Sequence, residues 1–351
     1  MPRHSIWFLA LLLFFEINAN AGVTNPDISA IGQVLGTYTD DTLSQAPKQF
    51  ALSLGETELV LDAALNPYLK GVFVFSIDRQ KGIDVEEAYT TLVRGLPLNL
   101  ALKAGKYRLN FGKLNQSHPH AYPFIRTPRV LDPQTAKLLP GEGSFNDTAV
   151  QVSTLIPMIG SWTTILSADF LQGDSFHPDT SDVAHGLLTH ISNSFMAGPA
   201  SVDIGGSLTQ GINNIKAETK STIIGSDAKA KIVLSPLLTI TIAGEYLYKL
   251  SERPDSQGSN IHDDRYGFYA YTDVRFYTRY NGGVLYEQYQ DPLARSQIDR
   301  AIKPFVGFSV LEESTILRLS YEYFMSGAVQ RTGTFELQLL FSMGPHKAHQ
   351  F

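Results

Sequence analysis

The side chains best suited to chemistry in this sequence crowd into one stretch. His118 and His120 flank Pro119, and a second pair, His346 and His349, lies near the end of the chain. Imidazoles are common ligands of divalent metals, but a zinc site needs three or four donors with fixed geometry. Two histidines in a proline-rich segment (Pro119, Pro123) supply half of that. The expectation is therefore no metal and no cofactor, with His118 and His120 kept as weak candidates. The same stretch carries Lys113, Arg126, Arg129 and Lys137 against the acids Asp132, Glu142 and Asp147. Cations gathered around a pore favour anions; scattered over a solvated loop they favour nothing. Nucleophilic catalysis has little to build on. There is no G-x-S-x-G, H-E-x-x-H or phosphate-binding loop, and a pair such as Ser192 near His190 has only proximity in its favour. The chain reads as not an enzyme.

These residues sit in Leu109–Asp147, nearly forty positions without a periodic pattern. Such stretches are unusual and tend to be functional. Around it the chain divides into segments of roughly ten residues in which apolar side chains recur at every second position. Phe335, Leu337, Leu339, Phe341 and Met343 alternate with Glu336, Gln338 and Ser342. Leu317, Leu319, Tyr321 and Tyr323 alternate with Arg318, Ser320 and Glu322. Phe268, Ala270, Thr272, Val274 and Phe276 alternate with Tyr269, Tyr271, Asp273 and Arg275. Successive residues of a strand face opposite sides, so these segments have one greasy and one wet face.

Counting from 28–39 to 333–343 gives sixteen such segments, with fourteen or eighteen also compatible. The connections sort by length. Short ones fall at 66–67, 94–97, 157–161, 195–200, 235–237, 279–280 and 312–313. Longer ones fall at 40–49, 78–83, 109–147, 172–186, 211–220, 250–264, 291–300 and 325–332. That alternation suits an all-β, transmembrane, antiparallel up-and-down barrel with short periplasmic turns and longer outer loops. A soluble sandwich has no reason to sort its loops this way. Composition agrees. The chain is 43% hydrophobic and only 18% charged, which excludes disorder, and no stretch after the leader offers the run of about 18 apolar residues that a membrane helix needs. A net charge of −6 argues against nucleic acid as a partner, and the absence of Cys excludes disulfide staples. Sixteen Tyr and twenty Phe fit a barrel whose rims sit among lipid headgroups.

The N-terminus reads as an export signal. Arg3 precedes the short apolar run Ser5–Phe15, and Ala19-Asn20-Ala21 gives the small-x-small pattern for cleavage between Ala21 and Gly22. The expected organisation is a cleaved segment 1–21, then a single barrel domain over 22–351.

Several stretches carry a family resemblance: NPDISAIG (Asn25–Gly32), VEEAYTTL (Val85–Leu92), LALKAGKYRLNFGKLNQSHPHAYPF (Leu100–Phe124) and GSFNDTAVQVS (Gly143–Ser153), followed by GEYLYK, YGFYAYTDVRF and the closing GPHKAHQF. The chain resembles Gram-negative porin-like outer-membrane barrels of the phosphate-selective porin O/P type, some relatives of which are labelled TonB-dependent-receptor-like. The receptor label implies a plug domain inside a 22-stranded barrel. Sixteen strands and their loops already use nearly the whole mature chain, and Gly22–Asp41 has no convincing TonB box, so the porin-type reading is the better one.

The expected function is passive diffusion of small hydrophilic solutes or ions across the outer membrane, through a lumen narrowed by 109–147. Lys113, His118, His120, Arg126, Arg129 and Lys137 are the constriction candidates. Lys103, Glu245, Arg275, Arg318 and Glu322 lead the lumen-facing set, with Glu58, Asp62, Lys70, Asp227, Lys229, Lys231 and Asp273 sharing their parity. The alternative is a non-conducting receptor or structural barrel that acts through its outer loops. Expected partners are outer-membrane lipid and the barrel-assembly machinery, the latter reading Phe341 or Phe351. Solute identity, ion selectivity, an open or closed lumen and a homotrimeric or monomeric state are left open by the sequence.

Overall fold

The computed structural model describes residues 26–344 apart from 43, 45–46, 79–81, 159, 178–182, 255–259, 295, 312–313 and 328–329. The leader, its cleavage point at Ala21 and Gly22, His346, His349 and Phe351 lie outside those residues.

Sixteen strands follow one another around a ring. They are β1 (Asp27–Thr39), β2 (Phe50–Leu54 continued by Glu58–Ala64), β3 (Leu69–Asp78), β4 (Gly82–Leu92), β5 (Leu100–Arg108), β6 (Asn146–Pro157), β7 (Thr163–Leu171) and β8 (Gly186–Ala197). Then come β9 (Ala200–Asn214), β10 (Thr219–Ser235), β11 (Leu238–Pro254), β12 (Arg265–Phe276), β13 (Tyr280–Gln290), β14 (Ile298–Leu311), β15 (Thr315–Met325) and β16 (Arg331–Met343). Both halves of β2 pair with β1, and a short strand Asn260–His262 extends the β11 edge, so the ring itself has sixteen members. Each strand pairs antiparallel with the next. The ring closes where β1 meets β16 over ten residue pairs, from Ala30 opposite Met343 to Thr39 opposite Thr334. Among the described residues each strand of the ring has a neighbouring strand on both sides, which is what a strand structure needs in lipid.

Period two dictates which way each side chain points. In β14, Asp299, Ala301, Lys303 and Phe305 are buried while Arg300, Ile302, Pro304, Val306 and Phe308 alternate with them on the exposed face. In β16, Glu336, Gln338 and Leu340 are buried while Phe335, Leu339 and Phe341 face outward. Phe341 lies across Gly32 of β1, where an added Cβ would stand 2.6 Å from the ring tip, so a glycine makes room for the aromatic at the seam. Burial here is inverted relative to a soluble sandwich: the outer wall is apolar and exposed, and the largest buried side chains (Tyr107, Tyr269, Tyr289, Phe111, Phe124, Phe145) belong to one interior cluster.

The structure revises several boundaries. Two connections expected to be long are tight, because β3 and β4 pair from Asp78 to Gly82, and β9 and β10 pair up to Asn214 and Thr219. Strand ends that leave the lipid belt are wet on both faces, lose the alternation and look like loops in sequence. The β8–β9 turn shrinks to Gly198-Pro199, because β8 and β9 stay paired as far as Ala197 and Ala200. A 3-10 turn, Pro97–Asn99, delays β5 to Leu100. The first strand pairs with β16 over Ala30–Thr39 and with the two halves of β2 over Asp27–Ile31 and Val34–Tyr38.

Candidate functional site

The segment between β5 and β6, residues 109–145, is not a solvated outer loop. Leu109, Phe111, Leu114, Tyr122, Phe124, Val130, Leu131, Leu138, Leu139 and Phe145 are all buried, and they pack with inward residues of the wall such as Leu171, Leu188, Ile223, Leu247, Tyr271, Leu285 and Phe305. Phe124 makes edge contacts with Tyr271 (5.3 Å between ring centres) and Phe305 (5.7 Å). Near forty residues therefore fold against the inner face of the ring.

Local chemistry fixes the two ends of this segment. Asn115 is buried, and its amide acts as a surrogate strand partner. Its Nδ2 donates to the carbonyls of Leu109 and Phe145, each at 2.9 Å, and its Oδ1 accepts the Phe145 N–H at 2.9 Å. Gly112 adopts φ +63, a left-handed conformation in which an added Cβ would lie 2.2 Å from Glu245 Oε2. That close approach lets one Glu245 oxygen accept the N–H groups of Lys113 (2.6 Å) and Leu114 (2.9 Å).

Beyond these anchors the segment's cations meet carboxylates of the wall. Lys113 Nζ lies 3.7 Å from Asp227 and donates to Ser192 Oγ at 3.0 Å. Arg126 pairs with Glu336 of β16, and Arg129 pairs with Glu322 of β15. Glu322 also accepts from Lys303 at 2.7 Å, and Lys303 reaches Glu287 at 3.0 Å, so four charges from three strands and the loop form one chain. Burial opposes the Arg129 charge, but the Glu322 carboxylate outweighs it and raises the guanidinium pKa. Arg318 donates to Gln338 at 2.9 Å and to the His120 carbonyl at 3.2 Å.

His118 and His120 meet the wall at β2 and β4, across β1 from the β16 contact of Arg126. Pro119 opens a 3-10 turn (Pro119–Ala121) and leaves His118 extended, as a residue before proline prefers. The two imidazoles consequently stack, 5.5 Å apart and 25° from parallel. Glu58 of β2 lies beneath both, its Oε1 3.0 Å from His118 Nδ1 and 3.4 Å from His120 Nδ1. His118 Nε2 lies 2.7 Å from Glu87 of β4. Burial and the nearby Arg108 disfavour the imidazolium, but Glu58 and Glu87 overcome them and lift the His118 pKa to about 10.

Of the residues singled out in sequence, Lys113, His118, His120, Arg126 and Arg129 come together with wall carboxylates. Lys137 does not: its side chain is exposed, its φ is +55, and only its carbonyl contributes, accepting from Lys249 at 2.9 Å. Lys103 faces inward between two rings, 4.0 Å from the centre of Tyr89 and 3.9 Å from that of Tyr107. Glu245, Arg318 and Glu322 face inward with the partners given above, and Arg275 stands near Asp273 at 3.9 Å. His190 bonds Ser207 Oγ at 2.8 Å, while Ser192 serves Lys113, so proximity in sequence did not make a pair of Ser192 and His190. The wall residues overlooked in sequence are Glu87, Glu287 and Lys303, whereas the alternation with Phe335 and Leu337 already marks Glu336 as wet. Glu87 was hidden beside Glu86, since two adjacent glutamates blur the parity.

A cavity of about 440 Å³ adjoins the segment, lined by Lys113, His118, His190, Ser192, Asp203 and Lys229 among others. Its mixed polar lining suits water and small polar solutes rather than an apolar ligand.

No protein-family profile matches the chain. An uncharacterised protein of Aquifex aeolicus (strain VF5) is 32% identical over 264 residues, 67% of this chain; the chain spans about half (54%) of that relative's length. Solved structures of similar shape include the outer-membrane channel DcaP of Acinetobacter baumannii (TM-score 0.60, 11% identity, 91% of this chain and 97% of that one). An anion-selective porin from Comamonas acidovorans aligns at TM-score 0.62 with 10% identity, covering 91% and 99%. OprB of Pseudomonas putida aligns at TM-score 0.62 with 9% identity, covering 91% and 94%. By its closed sixteen-stranded ring, then, the chain has the fold of these outer-membrane porin structures, the fold that the resemblance in its sequence implied.

Proposed function

We propose that this protein is a porin-type channel of a Gram-negative outer membrane, through which small hydrophilic solutes diffuse passively past a lumen narrowed by residues 109–145. The observation that carries the reading is the set of ties from this one segment to strands all around the ring: Glu58 and Glu87 on one side, Asp227 and Glu245 on another, Glu322 and Glu336 on a third. A segment held at so many points sets the cross-section available to solutes. The leader and the apolar outer wall support export and residence in the outer membrane.

A cationic constriction is not favoured by these contacts, because Lys113, Arg126 and Arg129 each face a carboxylate. The channel is better read as weakly selective. A second reading, a closed barrel that acts through its outer loops, draws support from the dense apolar packing of the segment against the wall.

Planar-bilayer recording separates the two. Under the channel reading the purified protein gives stable open steps, and deletion of most of 113–144 raises their conductance and weakens selectivity. A folded protein that stays silent would favour the closed barrel, and unchanged conductance after the deletion would remove the segment from the pore.

A further inference from the structure

The junction between the segment and the β2 wall has the make-up of a metal centre. We propose that Glu58, His118 and His120 bind one divalent transition-metal cation of the zinc class, which clips residues 109–145 to the β2 wall.

Three donors meet at this point, and their atoms all lie within 4.8 Å of one another. Ligand atoms placed about 2 Å from one tetrahedral zinc ion stand roughly 3.4 Å apart. The separations of Glu58 Oε1 from the two Nδ1 atoms, 3.0 and 3.4 Å, match that spacing without movement of the backbone. Glu58 is 1% exposed, and its second oxygen, Oε2, has no hydrogen-bond partner. A buried carboxylate oxygen left unserved is costly, and a cation at this spot would satisfy it.

The surroundings are those a metal-bound histidine requires. His118 turns Nδ1 toward Glu58 and Nε2 toward Glu87 at 2.7 Å, so Glu87 would accept the remaining ring N–H and fix the tautomer. Glu86 Oε1 lies 3.7 Å from His118 Nδ1 and is held there by Arg108. Two imidazoles and a carboxylate select zinc, copper or nickel over calcium and magnesium, which prefer six or more oxygens. An ion has a route in, because His118 also lines the cavity beside the segment. Only a neutral imidazole can ligate, so metal affinity falls as the pH drops.

The test uses the full-length protein in detergent, stripped with a chelator and titrated with Zn2+ alone, then with Co2+ to read the coordination from its visible spectrum. One equivalent with a tetrahedral Co2+ signature is expected. Glu87→Gln, whose side chain only positions His118, should weaken binding 10- to 100-fold. H118A/H120A should lose the equivalent and the cobalt signature, while H346A/H349A should keep both. Heat-modifiable migration on gels verifies that each variant is folded, and E58Q offers a milder ligand change should the double variant fail to fold. The proposal is overturned if the wild type binds no equivalent, if folded H118A/H120A or folded E58Q binds as the wild type does, or if only H346A/H349A loses it.

Discussion

Asn115 shows how one amide can organise forty residues. Its three hydrogen bonds tie Leu109 to Phe145 at the mouth of the segment, continuing the β5–β6 pairing inward by one further rung. An isosteric apolar replacement leaves the Phe145 N–H buried without a partner, at about 1–3 kcal/mol, while the Leu109 and Phe145 carbonyls each lose one of two donors. Asn115→Leu is therefore expected to leave the barrel folded but release the segment, seen as rapid cleavage by an added protease within 109–145; a segment as resistant as in the wild type would show the amide to be dispensable. Gly112 tells the same story from the backbone, since its positive φ is what brings Glu245 within reach of two N–H groups. At this scale the sequence was informative but incomplete. The histidines and arginines of the segment stood out by type, whereas their partners Glu58, Glu87, Glu322 and Glu336 are 31 to 210 positions away, and no spacing rule reports such a meeting. Lys137 shares the chemistry of its neighbours and still points elsewhere, because a left-handed backbone residue turns it outward.

Each strand must satisfy two solvents. On β14, Val306 faces outward (55% exposed) while Lys303, three residues earlier, is buried between two glutamates. Val306→Arg would place a charge in hydrocarbon near mid-strand, at about 2–4 kcal/mol if it sits at the midplane. Folding titrations in lipid vesicles should show that loss, whereas Val306→Leu should show almost none. This two-solvent rule is why the strands were legible: sixteen were expected and sixteen form the ring. Their outer ends were not, for past the lipid the constraint on the outward face vanishes, and the β9–β10 hairpin runs on to Asn214 and Thr219 with no apolar alternation to announce it. The interior segment was the least legible element. Its apolar residues, Phe111, Phe124, Leu138 and Phe145, follow neither a period of 2 nor one of 3.6, because they pack against a curved wall rather than a flat neighbour.

Over the whole molecule, charge is balanced across the gap between segment and wall. The buried wall residues are richer in carboxylates than in cations, and the segment returns part of the difference through Lys113, Arg126, Arg129 and His118. If solute passes alongside these groups, R126Q/R129Q should expose the charge of Glu322 and Glu336 and shift the reversal potential in a KCl gradient toward cation preference. A shift toward anions, or none, would argue that these pairs lie off the conducting path. The effect should shrink as ionic strength rises, since screening lengths fall from about 10 Å at 0.1 M to about 3 Å at 1 M.

The seam between β1 and β16 joins residues some three hundred positions apart, Ala30 with Met343 at one end and Thr39 with Thr334 at the other. Every other rung of the cylinder links neighbours in the chain, so hairpins can zip one after another while this final pairing waits for the last strand to arrive. Until then two raw edges stay available to strangers. Sealing is consequently an all-or-nothing event, and damage to β16 would forfeit the entire vessel rather than one stave.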